Sequence, residues 1–231
     1  MASVILVRHS RSTANTAGVL VGQAPGISLD ETGFTQARGL TTRIGDIAIS
    51  RVISSPLQRC IETISPWHEK YGKSEIEIDN NFIESDYGTW TGKKLSELAK
   101  EPLWKEVQKT PSKVTFPEGE SFQAMFKRVS TGLDSIIDKL AENDNVIVVS
   151  HGDIIKLAIA KILGLPIDNF QKLVIDPASI SIVKVENSED KEHSRRTALI
   201  SMNESGTPLS KLLENKELAG LGGGKGNGGG A

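Results

Sequence analysis

Three short stretches of the chain are continuously apolar and rich in β-branched residues: SVILV (3–7), SRVISS (50–55) and NVIVVS (145–150). Runs of this length that end in polar turns predict strands buried on both faces, as in a parallel sheet. Helical periodicity separates them. From Asp30, a candidate N-cap, apolar or small residues recur at Phe34, Ala37, Leu40 and Ile44. Ser55-Pro56 reads as a cap with proline at the first helical position, and Pro66 is expected to interrupt that helix. A third stripe joins Phe122, Met125, Val129, Leu133, Ile136 and Leu140. Residues 152–165, GDIIKLAIAKILGL, are strongly apolar and predict a core helix.

Strand and helix in alternation predict an α/β fold with a largely parallel sheet. Residues 179–186 and 196–204 look like two strands around a charged turn, an antiparallel hairpin. Residues 80–120 mix aromatics, glycines and prolines with one helical stretch near 95–108. An insertion of that kind predicts a functional loop or lid. The chain ends in GLGGGKGNGGGA, so a domain is expected over 1–205 and a disordered Gly-rich tail over 206–231. The tail's Gly-Lys pair lacks the spacing of a phosphate loop.

Composition narrows the function. The 231 residues suit one domain with a substantial core. A formal net charge of -2 leaves no basic stripe for a nucleic-acid backbone. No apolar run approaches the ~20 residues of a membrane span. Cys60 is the single cysteine, which rules out an intrachain disulfide and fits a reducing compartment. Too few apolar residues precede Arg8 for a signal peptide. A cytoplasmic protein is expected, with neither nucleic acid nor membrane as partner.

The first apolar run ends in Arg8-His9, the second leads to Arg59 one turn into its helix, and the third ends in His151-Gly152. In open α/β sheets ligands bind in the crevice beyond the carboxyl ends of the strands. Such a fold gathers two arginines and two histidines into one positive pocket. An anion neutralises that pocket, and phosphate matches the forked donors of arginine.

These residues also carry a resemblance. RHSRSTAN resembles the RHGx(S/T)xxN signature of the histidine phosphatase superfamily, branch 1, the phosphoglycerate mutase-like group. LDETGFTQA, SSPLQRCIET, ESDYGTWTG, FPEGESFQAMFKRV and VIVVSHGDIIK match its further motifs in the right order. The resemblance implies a three-layer α/β/α sandwich with a mostly parallel sheet, one antiparallel edge strand or hairpin, and a lid insertion. It also implies roles. His9 would attack phosphorus and become a phosphohistidine. Arg8, Arg59 and His151 would hold the phosphoryl oxygens. Glu84 would protonate the leaving oxygen and later draw a proton from water, which requires a raised pKa. Ser12, Asn15 and Gly152 would complete the phosphate site. No metal and no cofactor is implied, and the partner is a small phosphorylated substrate.

Asp86 lies close to Glu84, but Glu84 holds the motif's glutamate position. Ser10 stands where the family usually has glycine, and would either crowd the pocket or add a donor to it. Val21 stands where many members carry a polar residue that touches substrate, which bears on specificity. Cys60 reads as a packing residue, and His68 and His193 as solvated surface residues. Trp90 belongs to the lid or its packing, and Lys93 and Lys94 to a second anion site or a solvated face. Three functions fit: a phosphomonoester hydrolase, a phosphoglycerate mutase-type phosphomutase, and a catalytically weak phosphate-binding or adaptor domain. YGTWTGKKLSE and FPEGES resemble the phosphatase branch, so a hydrolase is expected.

Overall fold

Six strands form one sheet in a computed structural model that describes residues 1–186 and 195–213. They are β1 (Ala2–Arg8), β2 (Arg51–Ser54), β3 (Ile76–Ile78), β4 (Asn145–Ser150), β5 (Ile180–Val185) and β6 (Thr197–Glu204), in the spatial order β3-β2-β4-β1-β5-β6. β3, β2, β4 and β1 run parallel, and β5 alone runs in the opposite direction, antiparallel to both β1 and β6. The helices in chain order are α1 (Thr13–Ala17), α2 (Glu31–Ile44), α3 (Gln58–Tyr71), α4 (Leu95–Leu98), α5 (Pro102–Lys109), α6 (Phe122–Lys139), α7 (Gly152–Leu163) and α8 (Leu209–Leu213).

The continuous apolar runs have a direct structural meaning. Val4, Leu6, Val146 and Val148 pack into one core with α6 and α7. Ile5, Val7, Ile147 and Val149, alternating with them, pack into a second core with α2, α3 and α8. The sheet is thus covered on both faces, the expected three-layer α/β/α arrangement. Each fully buried aliphatic side chain contributes about 1.5–3 kcal/mol. The expected cap at Asp30 accepts the Gly33 amide at 2.8 Å, and Ser121, for which the sequence reading had no cap, accepts that of Ala124 at 3.1 Å.

Several expectations shift. Pro66 does not interrupt α3. A proline inside a helix costs about 3 kcal/mol. Buried Ile64 and Trp67 flank it, and Trp67 Nε1 donates to the Gly45 carbonyl at 2.8 Å, so packing carries the helix through. Ser55 does not cap α3 either. The N-cap residue is Leu57, without a side-chain bond. The helical stretch near 95–108 is two short helices, α4 and α5. β3 has no counterpart in the sequence reading. Its three residues are half-buried or exposed and show no apolar run.

The insertion over 80–120 is packed rather than loose. Trp90 stacks on Trp104 with centroids 6.2 Å apart and meets Phe116 at 5.5 Å. Leu209 and Leu212 of α8 are buried, so packing continues past residue 205, where the tail was expected to begin. Residues 214–231 and the charged turn with His193 lie outside the described residues.

Candidate active site

Register brings the two histidines together. β1 and β4 are adjacent and parallel, with Arg8 opposite Ser150. His9 and His151 each follow a member of that pair, and the His9 amide donates to the Ser150 carbonyl at 2.9 Å. Their rings meet edge-on with centroids 5.2 Å apart. β2 lies on the other side of β4, so Ser55 arrives beside His151, its Oγ 2.7 Å from Nε2. That bond, in place of the expected helix cap, is what the Ser55 hydroxyl serves.

His9 Nδ1 lies 2.7 Å from the Ser10 carbonyl. A carbonyl only accepts, so Nδ1 carries the proton and Nε2 keeps its lone pair. Burial, reinforced by Arg59 and Arg8, lowers the His9 pKa to about 3. His9 is therefore a neutral imidazole at neutral pH. Burial and the same arginines also hold His151 well below its usual value.

Arg8 ends β1 and Arg59 sits in the first turn of α3. Each has one anchor: Arg8 Nη1 donates to the Ile175 carbonyl, and Arg59 Nη2 to the Gly22 carbonyl at 2.9 Å. Arg8 Nε and Arg59 Nη1 are buried without a hydrogen-bond partner. Buried, unpaired guanidinium nitrogens are costly. An oxyanion between them removes that cost. Gly152 lets Arg8 lie close, since a Cβ there would sit 3.3 Å from the Arg8 Cζ.

Glu84 follows β3 and the short turn Asn80–Phe82. Its carboxylate lies 3.8 Å from His151 Nδ1. Burial first, and Asp153 second, raise its pKa to about 7, against the pull of Arg59 and Arg8. With His151 neutral, this contact is a polar approach and not an ion pair. Asp86 is turned away: its carboxylate accepts the Gly88 amide at 3.0 Å within its own exposed turn.

Arg8, His9, Ser12, Asn15, Arg59, Glu84 and Gly152 line one cavity of about 430 Å³; His151 is fully buried and is not itself in the lining, which it meets through Glu84, 3.8 Å away, and the His9 ring. Ser12 and Asn15 form a reciprocal cap on α1, in which Asn15 Oδ1 accepts from both the amide and the hydroxyl of Ser12. The Asn15 backbone amide donates to Ser12 Oγ at 3.3 Å, which leaves the side-chain Nδ2 as the donor for a ligand. Ser10 does neither of the things expected of it. It is fully buried, does not line the cavity, and its Oγ has no partner, while its amide donates to Thr63 Oγ1 at 2.8 Å. Val21 does line the cavity. Cys60 packs with Sγ 3.5 Å from His151 Nε2, and burial pushes its thiol up to about 12. It stays a protonated packing residue. His68 is half-buried and bonded through Nε2 to the Ser74 carbonyl, so it is not a freely solvated residue. Lys93 and Lys94 do not line the cavity.

The sequence reading passed over the residues that hold Glu84. Arg128 of α6 donates to the carbonyls of Asn81, Ile83 and Glu84, and forms two bonds with Glu120. Gln23 Nε2 also donates to the Glu84 carbonyl, at 2.9 Å. Arg128 and Glu120 both lie in the FPEGESFQAMFKRV motif, which was the available signal. Asp153, next to His151-Gly152, accepts from the Tyr87 hydroxyl at 3.4 Å and from Lys156 at 3.2 Å. Among the described residues, no cluster of His, Cys, Asp or Glu is placed to hold a metal ion, and no helix is long and apolar enough to cross a membrane.

Comparison with known proteins gives the family and the fold. Residues 4–196 match the family model of the histidine phosphatase superfamily (branch 1). The chain is 32% identical over 213 residues to "Probable phosphoglycerate mutase GpmB" of Erwinia tasmaniensis, covering 86% of this chain and 98% of that one. It is 30% identical over 206 residues to phosphoserine phosphatase 1 of Hydrogenobacter thermophilus, covering 88% and 92%. The fold is similar to that of the α-ribazole phosphatase of Shigella flexneri, with a TM-score of 0.76 at 23% identity over 89% of this chain and 98% of that one. A mycobacterial glucosyl-3-phosphoglycerate phosphatase gives a TM-score of 0.77 at 23% identity, over 88% and 99%. The chain belongs to the histidine phosphatase superfamily, branch 1.

Proposed function

We propose that the protein is a phosphomonoester hydrolase that acts through a phosphohistidine on a small phosphorylated metabolite. The observation that carries this reading is the set of groups around one cavity. A neutral His9 with a free Nε2 lies beside Arg8 and Arg59, each with one buried, unpartnered guanidinium nitrogen, and a carboxyl with a pKa of about 7.

The chemistry follows from those groups. The substrate phosphate enters between Arg8 and Arg59, which compensate the charge spread over its oxygens. The His9 Nε2 lone pair attacks phosphorus. The ester P–O bond breaks, its electron pair leaves on the alcohol oxygen, and Glu84 supplies the proton. Glu84, now a carboxylate, takes a proton from water. The hydroxide oxygen bonds to phosphorus, the P–N bond breaks, and its electron pair returns to Nε2. For His151 Nδ1 to donate to a phosphoryl oxygen, the Ser55 hydroxyl must donate to Nε2, which their 2.7 Å contact permits.

The relative named as a mutase favours a second reading, transfer of the phosphoryl group to another hydroxyl. Rapid-quench mixing with a panel of phosphomonoesters and with 2,3-bisphosphoglycerate separates the two. A transient phosphoprotein that decays to free phosphate, and that His9→Ala cannot form, is the expected result. A long-lived phosphoprotein that passes its phosphate to phosphoglycerate makes the protein a mutase.

A further inference from the structure

Beside the main cavity lies a second one of about 190 Å³. Leu20, Tyr87, Leu95, Asp153 and Gln171 line both, so the two share a wall. The rest of the second cavity is almost wholly apolar, with Trp90, Trp104, Val107, Phe116 and Phe122 around it. These rings brace one another: Trp90 stacks on Trp104, and Phe116 stands edge-on to Tyr87 at 4.9 Å. An apolar cavity of about 150 Å³ is enough to hold a benzene molecule. This annex has room for one ring.

Charge points the same way. The cations lining the main cavity are Arg8, Arg59 and Lys156. The two arginines face the phosphate position, and Lys156 is held by Asp153 and Gln171, each at 3.2 Å. A carboxylate or second phosphate on the substrate would meet Asp153 and no free cation in the lining. Like-charge contact of this kind discriminates against such partners.

We propose that the annex between Tyr87 and Trp104 receives an uncharged, apolar, ring-sized portion of the alcohol half of the substrate. The inference rests on the hydrolase reading and specifies its substrate class: phosphomonoesters of alcohols that bear an apolar ring and no second anion.

The test uses the full chain with 2-phenylethyl phosphate, ethyl phosphate and 3-phosphoglycerate. Both simple esters release an alkoxide of similar basicity, so their difference reports the ring and not the leaving group. The expected result is a kcat/KM for the phenylethyl ester about tenfold or more above that of ethyl phosphate, with 3-phosphoglycerate below both. Trp104→Ala should bring the phenylethyl-to-ethyl ratio to within about threefold, and Trp104→Phe should keep most of it. Equal values for the two simple esters, a preference for 3-phosphoglycerate, or an unchanged ratio in Trp104→Ala overturns the annex assignment while the hydrolase reading stands. If Trp104→Ala does not fold, the substrate comparison on the unaltered chain decides alone. Release of phosphate from none of the three overturns the hydrolase reading and this inference with it.

Discussion

His9 and His151 stand edge to ring, 5.2 Å apart, because each follows one member of the Arg8–Ser150 register pair. In the proposed mechanism one ring attacks and the other holds. The two should fail differently. His9→Gln should form no phosphoprotein and lose nearly all turnover. His151→Ala should still label, at a rate reduced by about 10²–10³. Quench-flow labelling of both variants checks this, and a labelled His9→Gln protein would sink the assignment.

The pH profile should report Glu84. Its carboxyl must be protonated to deliver a proton, and its pKa is raised to about 7. For alkyl phosphates kcat/KM should therefore fall about tenfold per unit as pH rises above about 7. His9, lowered to about 3, is already neutral throughout that range and adds no limb of its own near neutrality. Glu84→Gln should lose the alkaline limb. It should also slow alkyl esters far more than 4-nitrophenyl phosphate, whose leaving group needs no proton.

Arg128 is a positioning residue, tied to the carbonyls before and at Glu84. Arg128→Ala should lower kcat by about ten- to a hundredfold with little change in KM. Freed from its buried seat, the Glu84 carboxyl should move towards its ordinary pKa, so the alkaline limb should shift to lower pH. A limb that stays in place would reduce Arg128 to general structural support. Arg128→Lys should rescue little, since lysine cannot match the fork on Glu120.

Acid should destabilise the fold through His9. Its folded pKa is lowered, so its contribution is fully present above the unfolded value of about 6.5 and is lost as pH falls towards about 3. Between about pH 6.5 and 5 that loss amounts to about 2 kcal/mol. Glu84, with a raised pKa, works in the opposite sense over part of the same range. Comparing urea unfolding of the parent and His9→Gln near pH 7 and pH 5 isolates the His9 share. The variant should lose about 2 kcal/mol less.

The buried strands and the arginines and histidines at their ends were legible because continuous β-branched runs that stop at Arg8-His9 and His151-Gly152 encode both burial and direction. β3 was not. Ile76–Ile78 is a short edge strand whose pairing with β2, and not its own burial, defines it. Pro66 misled for a related reason: a local rule lost to the packing of Ile64 and Trp67. The hold of Arg128 on Glu84 spans 44 residues and depends on where α6 lands against the loop, which no local pattern states. Ser55 read only as a helix cap, because the β2–β4 register that brings it to His151 is a long-range relationship.

Arg8, His9 and His151 ride on adjacent strands whose spacing the sheet fixes, and Arg59 follows closely on β2. Glu84 hangs instead from a loop that Arg128 and Gln23 tether by its carbonyl. On the proposed mechanism the machine divides into a rigid anion cradle and one separately mounted proton donor. Redesign can exploit that division: changes in the insertion can re-aim the donor and reshape the alcohol side while the cradle is left untouched.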